Sequence, residues 1–270
     1  EGIEAWSLNG DAFSDEIKAQ AISDIRDKMG PLDLIIYSLA SPRRTDPVSG
    51  ETFKSVLKPI GAPFEANNLD TDRKSIFPVT IEPATEDEVE ATVKVMGGED
   101  WERWITQLDE AGLIADKCLT MAYDYVGPEV TWPVYHHGTI GTAKVHLRET
   151  AQALNERMAK VGGRAMVSIN KAVVTQASSA LPVVPLYISI LFKVMKETGL
   201  HEDCIEQIDR LFRTRIYAGA LDLDDEGRVR MDDWEMRPDI QEKVKVLWPS
   251  VATETIDSLT DFSGYQENFL

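Results

Sequence analysis

The apolar positions of the first forty residues predict a strand, a helix and a second strand. Ser14 is suited to cap a helix, and after it apolar side chains recur about every four residues as far as Met29. Gly30 and Pro31 then end the helix. Residues 32–39 are apolar without alternation, as in a parallel strand covered on both faces. The pattern predicts a βαβ arrangement.

The rest of the chain continues as a mixture of helices and buried strands. Prolines are dense between residues 41 and 83, which predicts an ordered loop region suited to binding. Apolar periodicity predicts helices over residues 86–96, 100–111, 139–160, 186–198, 202–212 and 239–247, and a buried strand over 165–173. Residues 181–270 are therefore expected to be mainly helical. The pattern as a whole predicts an α/β fold with a doubly wound parallel sheet.

Charge and cysteine content exclude several classes of function. The formal net charge of −18 repels nucleic acid and anionic lipid, so neither is expected as a partner. The longest apolar stretch, residues 186–194, is too short to span a bilayer. Cys118 and Cys204 fit no CxxC pattern and are predicted to be buried free thiols in a reducing compartment. We expect a cytoplasmic location, or an organelle if a transit peptide lies upstream.

Aromatic residues, glycines and a lysine converge between residues 123 and 144. If a helix begins near Thr139, Tyr135 lies in the turn before it and Lys144 lies on it. An ammonium near a tyrosine hydroxyl favours the ionised form, which suits acid–base and carbonyl-polarising work. A tyrosine and a lysine at this spacing also occur by chance, so an incidental pair stays open on these residues alone.

Four segments together resemble the trans-2-enoyl-CoA reductase family, which also includes a class of bacterial enoyl-acyl-carrier-protein reductases. They are YSLASPRRTDP at 37–47, YVGPE at 125–129, GTIGTAK at 138–144 and NKAVVTQASSA at 170–180. Their order and spacing agree with the family and extend over most of the chain. The resemblance implies a Rossmann-like reductase related to short-chain dehydrogenase/reductases.

The resemblance implies NADH-dependent reduction of the double bond of trans-2-enoyl thioesters in fatty acid metabolism. Tyr135 and Lys144 match the family's Tyr-x8-Lys catalytic pair. Tyr135 would hydrogen-bond the thioester oxygen as an enolate develops, and Lys144 would hold the cofactor ribose. Tyr125 would line the substrate site. The substrate carrier is coenzyme A or acyl carrier protein, and we expect a monomer.

The same resemblance implies the cofactor contacts. They are Asp11, Ala12, Leu39, Ala40, Lys144, Val173, Val174 and Thr175, with no metal ligand. Leu39 and Ala40 follow one buried strand, and residues 173–175 follow another. Ligands of open α/β sheets bind outside strand carboxyl ends, which supports these positions independently. Core packing is the alternative for Leu39 and Ala40.

Compared with the family, the chain is expected to be a single Rossmann-like domain, residues 1–270, with the N-terminal βαβ unit and the extreme C-terminus missing. The missing unit carries the glycine-rich turn that cradles the pyrophosphate, so we expect these 270 residues alone not to turn over. Two alternatives remain: a non-catalytic dinucleotide-binding remnant, and a short-chain dehydrogenase/reductase acting on another carbonyl substrate.

Several weaker signals favour structural roles. Residues 222–233 resemble a calcium loop but lack its final glutamate, so a solvated hairpin turn is predicted. His136, His137 and His146 lack metal-ligand spacing. Arg43 and Arg44 suit phosphate binding and loop salt bridges equally. The apolar face of residues 187–195 is predicted as core, with an acyl-pocket wall as the alternative. No flavin-binding feature is evident.

Overall fold

The computed structural model describes residues 2–39, 41–179 and 181–269. The chain divides into two compact units. Unit 1 comprises residues 1–55, 90–122 and 143–166, and unit 2 comprises residues 56–89, 123–142 and 167–270.

The helices are α1 (Asp15–Lys28), α2 (Glu86–Met96), α3 (Glu99–Glu110), α4 (Thr139–Met158), α5 (Gln176–Ser179), α6 (Val184–Glu197), α7 (Cys204–Arg210), α8 (Pro238–Leu247), α9 (Ile256–Leu259) and α10 (Phe262–Phe269). The strands are β1 (Leu32–Tyr37), β2 (Arg43–Thr45), β3 (Thr52–Lys54), β4 (Phe64–Asp70), β5 (Ser75–Ile81), β6 (Ile114–Asp124), β7 (Arg164–Ile169) and β8 (Val229–Arg230). Except at 2–10 and 41–83, the predicted helices and strands are present with bounds that differ by a few residues.

A four-stranded sheet has the strand order β1-β6-β7-β8. Strand β1 pairs parallel with β6, and β7 pairs parallel with β8. Parallel strands need long crossover connections, which here contain helices. This arrangement confirms the predicted α/β fold with a parallel sheet.

The N-terminal segment differs from the prediction. The described residues 2–10 contain no strand, and their side chains are exposed. A strand requires a neighbour to take its backbone hydrogen bonds. Helix α1 follows as predicted: the Ser14 hydroxyl accepts the Ile17 N–H at 3.2 Å, and Gly30 adopts a positive φ of 78° after its end. The sequence pattern therefore located the helix but not what precedes it.

The segment 41–83, predicted as a loop region, contains two antiparallel hairpins. Strands β2 and β3 pair in unit 1, and β4 pairs with β5 in unit 2 over seven residue pairs. Pro78 lies within β5, opposite Asn67. A two-stranded hairpin has an outer edge on each strand, where proline removes no ladder hydrogen bond. The prolines therefore indicated edge strands rather than irregular chain.

The core of unit 1 forms where α1, α3 and α4 bring apolar side chains together with β6. Trp101 is fully buried, as predicted, and its indole N–H donates to the Thr120 hydroxyl at 2.9 Å. Trp104 is only partly buried, and the Lys18 ammonium lies 5.1 Å from its ring centroid. Leu147 and Leu154 of α4 are also in the core. The predicted apolar face of α3 is thus largely confirmed.

Helix α6 forms the centre of unit 2. All but three of its 14 residues are buried, and α8 and α10 pack against it. The predicted face is in the core, including Tyr187, Ile188, Leu191, Phe192 and Met195, each at most 1% exposed. The described packing therefore agrees with the core prediction for this face.

The two cysteines differ in exposure. Cys118 is buried within β6, as predicted, but Cys204 is exposed. Cys204 is the first residue of α7, directly after the Asp203 cap, and is not on the helix's buried side. The prediction of two buried thiols was therefore wrong for Cys204. Within the described ranges, no helix combines the length and apolar character needed to cross a membrane.

Candidate active site

Tyr135 lies in a tight turn directly before α4, in unit 2. Its carbonyl oxygen accepts the N–H groups of Gly138 at 3.1 Å and Gly141 at 3.0 Å. A side chain at Gly141 would overlap the His136 carbonyl, so the turn requires glycine there. The local sequence therefore fixes the backbone that carries the Tyr135 ring, which is 8% exposed.

The second tyrosine of the predicted site packs directly against the first. The ring centroids of Tyr125 and Tyr135 are 5.2 Å apart, at an interplanar angle of 75°. This edge-to-face arrangement is a favoured aromatic geometry. Gly127 has a φ of 70°, and a Cβ there would lie 2.8 Å from the Tyr125 hydroxyl oxygen. The YVGPE segment thus brings backbone close to the Tyr125 ring.

A buried carboxylate holds the Tyr125 hydroxyl. Tyr125 donates to Oε1 of Glu235 at 3.0 Å, and the Tyr187 hydroxyl donates to the same oxygen at 2.6 Å. The Ala172 N–H donates to the other oxygen, Oε2, at 2.7 Å. Sequence reasoning missed Glu235, because an isolated glutamate in an acidic stretch gives no periodic or motif signal. Only the tertiary fold connects it with Tyr125.

Burial controls the protonation of these groups. It raises the pKa of Tyr135 far above its usual value, and the Asp124 carboxylate raises it further. The pKa of Tyr125 is raised by burial and then by Glu235. The direction for Tyr135 is opposite to the acidification expected from an ammonium neighbour. Both tyrosines therefore keep their protons near neutral pH and are hydrogen-bond donors.

Four of the predicted cofactor residues belong to the described part of unit 1. Leu39 follows β1 and is 38% exposed, unusual for a leucine after a core strand. The Asp11 carboxylate accepts the Phe13 N–H at 3.0 Å, and the Ala12 carbonyl accepts from the Lys18 ammonium at 2.9 Å. Lys144 lies half-buried on α4. Ala40 lies outside the described residues.

The remaining predicted cofactor residues follow β7 in unit 2. Val173 is partly buried, Val174 is 8% exposed and Thr175 is exposed. The Thr175 hydroxyl accepts the Ser178 N–H at 3.1 Å at the start of the short helix α5. Positions after strand carboxyl ends, an exposed leucine and available backbone groups fit a dinucleotide. The fit is of residue types and positions within each unit.

The signals set aside from the sequence have structural roles. Asp224 caps a turn through its bonds to Arg228, and no group of three His, Cys, Asp or Glu among the described residues could hold a metal. His146 accepts the Gly98 N–H at 3.0 Å. Arg44 is 2% exposed and forms a salt bridge with Glu99 at 3.2 Å, whereas Arg43 is exposed. The salt-bridge alternative therefore holds for Arg44.

The model of the trans-2-enoyl-CoA reductase catalytic region matches residues 1–217. The chain belongs to this family. It is 55% identical over 270 residues to the enoyl-[acyl-carrier-protein] reductase [NADH] of Opitutus terrae, covering all of this chain and 68% of that protein. Two solved trans-2-enoyl-CoA reductases in complex with NAD superpose with a TM-score of 0.95 each, over 99% of this chain. The one from Treponema denticola is 51% identical, with 67% of its chain covered, and that from Clostridium acetobutulicum 44%, with 69% covered.

A second family model, described as an enoyl reductase FAD binding domain, matches residues 223–270. The described side chains there do not fit a flavin. Helices α8 and α10 use their apolar faces against α6, and Glu235 and Gln241 form hydrogen bonds inside the protein. The segment has only two glycines, Gly227 and Gly264, far apart in sequence, so it has no glycine-rich turn for a pyrophosphate.

Proposed function

We propose that this reductase transfers hydride equivalents from NADH to the double bond of trans-2-enoyl thioesters, giving saturated acyl thioesters in fatty acid synthesis. The observation that carries the proposal is the buried pair of protonated tyrosines, with Tyr135 directly before the helix that bears Lys144. The family membership and the cofactors in the names of the relatives agree with it.

Tyr135 is proposed to donate a hydrogen bond to the thioester oxygen while negative charge develops there. Bound NADH supplies the hydride to the β-carbon. A tyrosine with a raised pKa keeps its proton and stabilises the charge as a donor, and the low dielectric around a buried ring strengthens that bond. Tyr125, whose ring packs against Tyr135, orients the thioester and excludes water.

Residues of both units are proposed to hold the cofactor. In unit 1 they are Asp11, Ala12, Leu39, Ala40 and Lys144, and in unit 2 they are Val173, Val174 and Thr175. The exposed Leu39 after β1 and the segment after β7 support this assignment, because each follows the carboxyl end of a parallel strand. Lys144 is proposed to bind the ribose of the cofactor.

Two further properties are proposed from charge and thiols. The net charge of −18 opposes self-association, which supports a monomer. The free thiols of Cys118 and Cys204 support a reducing, cytoplasmic location. Light scattering on a size-exclusion column would test the first property, and a dimer at micromolar concentration would exclude the monomer.

The decisive experiment follows NADH oxidation in the complete protein that carries this sequence. Crotonyl-CoA and crotonyl-acyl-carrier protein are compared as substrates. Tyr135→Phe is expected to lower kcat at least about a hundredfold. Tyr217→Phe is the matched control, because Tyr217 is 65% exposed, and it should leave kcat unchanged. Full activity of Tyr135→Phe would remove Tyr135 from the mechanism, and NADH binding without turnover on either substrate would indicate a non-catalytic remnant.

A further inference from the structure

Glu235 is a fully buried carboxylate whose hydrogen-bond partners are distant from it in sequence. Oε1 accepts the hydroxyls of Tyr125 and Tyr187, and Oε2 accepts the backbone N–H of Ala172. Tyr125 is 110 residues away and Ala172 is 63 residues away. Taking a carboxylate out of water is costly unless its oxygens are satisfied. Three donors on one side chain meet that requirement and join two segments proposed for the site.

The Ala172 peptide is held from both sides. Its N–H donates to Glu235, and its carbonyl accepts from the Lys171 ammonium at 2.9 Å. Lys171 is itself 2% exposed, and its own N–H donates to the Gln207 side chain at 2.7 Å. Ala172 directly precedes Val173, the first of the three proposed cofactor residues in this unit. The anchoring therefore fixes the point at which that segment starts.

The Tyr125 ring has three restraints, and only one of them is adjustable by a side chain. Gly127 backbone lies beside the ring, and Tyr135 packs against it at 5.2 Å between centroids. These two contacts limit where the ring can lie but leave its hydroxyl free to take other directions. The bond from that hydroxyl to Glu235 selects one orientation.

We propose that Glu235 is a positioning residue of the reductase site. Through Oε1 it fixes the Tyr125 ring against Tyr135, and through Oε2 it fixes the Ala172 amide at the head of residues 173–175. The inference rests on the proposed function, in which Tyr125 orients the thioester and residues 173–175 bind NADH. Glu235 itself needs no contact with substrate or cofactor.

The two roles separate in a double-mutant cycle. With saturating NADH, Glu235→Gln is expected to lower kcat about tenfold while KM for the enoyl thioester changes less than about threefold. In a Tyr125→Phe background the same change should lower kcat no more than about twofold, because the hydroxyl on which it acts is gone. Equal losses in both backgrounds, or a kcat for Glu235→Gln within about twofold of the wild type, would overturn the role through Tyr125.

NADH binding without substrate tests the other role. Glu235→Gln is expected to raise the Kd for NADH, measured by fluorescence titration, by about threefold to tenfold in either background. An unchanged Kd would overturn the anchoring of residues 173–175. If the wild type binds NADH but reduces no enoyl thioester, the proposed function fails, whereas the Kd shift still reports on Glu235.

Two further variants guard against simple loss of folding. Tyr187→Phe removes the other hydroxyl from the same carboxylate oxygen, so it should lower Tm but leave kcat unchanged. Glu235→Asp keeps the charge but is one methylene shorter, so it cannot hold both Oε1 and Oε2 partners in place. A kcat loss in Glu235→Asp at unchanged KM supports positioning, and a wild-type kcat in that folded variant contradicts it.

Discussion

Each unit contains a buried charged side chain that holds a segment proposed for cofactor binding, but the two charges are satisfied differently. In unit 1 the Lys18 ammonium donates to the carbonyls of Ala12 and Phe13 and forms a 2.7 Å ion pair with the buried Asp100. In unit 2 Glu235 accepts only from neutral donors at hydrogen-bond distance. The ion pair makes one charge depend on the other, whereas neutral donors can lose the charge and remain paired.

The largest difference is expected from Lys18→Met. It leaves Asp100 buried without its ion partner, and Asp100 then keeps only the Tyr37 hydroxyl among the bonds described. Breaking a buried pair in this way costs about 3–5 kcal/mol of the free energy of unfolding. Urea denaturation measures the loss. Lys28→Met, on the same helix but in an exposed pair with Asp24, is the control and should show no measurable loss. Similar values for both variants would contradict the comparison.

Gly127→Ala sharpens the comparison for unit 2 by moving Tyr125 without touching Glu235. The residue has a positive φ, and the new methyl group would press on the Tyr125 ring. We expect a loss of about 1–2 kcal/mol in the free energy of unfolding and about a tenfold lower kcat. Gly199→Ala has a φ of 69° and open space around it, so it should show the strain but not the loss of kcat. A kcat loss in both would exclude displacement of Tyr125 as the cause.

Tyr187→Phe measures what one neutral donor contributes to the buried carboxylate. The variant keeps the ring in the core and removes a 2.6 Å hydrogen bond to Glu235. A hydrogen bond to a charged group contributes about 1.5–3 kcal/mol, but Tyr125 and Ala172 remain as donors, so the lower end is expected. Urea denaturation at neutral pH measures it. A loss as large as that of Lys18→Met would mean that the two clusters do not differ.

The pH dependence of stability separates the two clusters by sign. Burial raises the pKa of Glu235 above its ordinary value, with Asp232 adding to the rise and Tyr187, the Ala172 amide and Lys171 opposing it. The folded state therefore holds this proton at a pH where the unfolded state has released it, so Glu235 makes stability fall as pH rises from about 4.5. Glu235→Gln should remove this slope in urea titrations between acid and neutral pH. A stability difference between variant and wild type that stays constant with pH would contradict the shift.

The smallest effect is expected at Arg43. Unlike the buried Arg44, it is exposed on β2, and it remains a candidate contact for a substrate phosphate. Arg43→Ala should raise KM for crotonyl-CoA by about threefold, with kcat unchanged, because an exposed charge contributes little. Arg73→Ala, also exposed, is the control. An unchanged KM would leave Arg43 with no part in binding.

Much of the molecule followed from sequence pattern, because local rules determine it. Ser14 caps α1, the glycines at 138 and 141 shape the turn of Tyr135, and the apolar run of β1 lies in a parallel sheet. The four family-like segments indicated the reductase and its two tyrosines. The hairpins within 41–83 and the exposure of Cys204 escaped, since edge pairing and the face of a short helix depend on neighbours that the local sequence does not contain.

By itself the sequence determined the helices, the strands of the parallel sheet and the tyrosine pair, since propensity, capping and glycine turns act over a few residues. Only the tertiary structure decided which charges are buried and what satisfies them. Lys18 meets Asp100 from 82 residues away, and Glu235 meets Tyr125 from 110 residues away. No local pattern requires either contact. Both exist because folding removes those groups from water, and each must then find its partner within the protein.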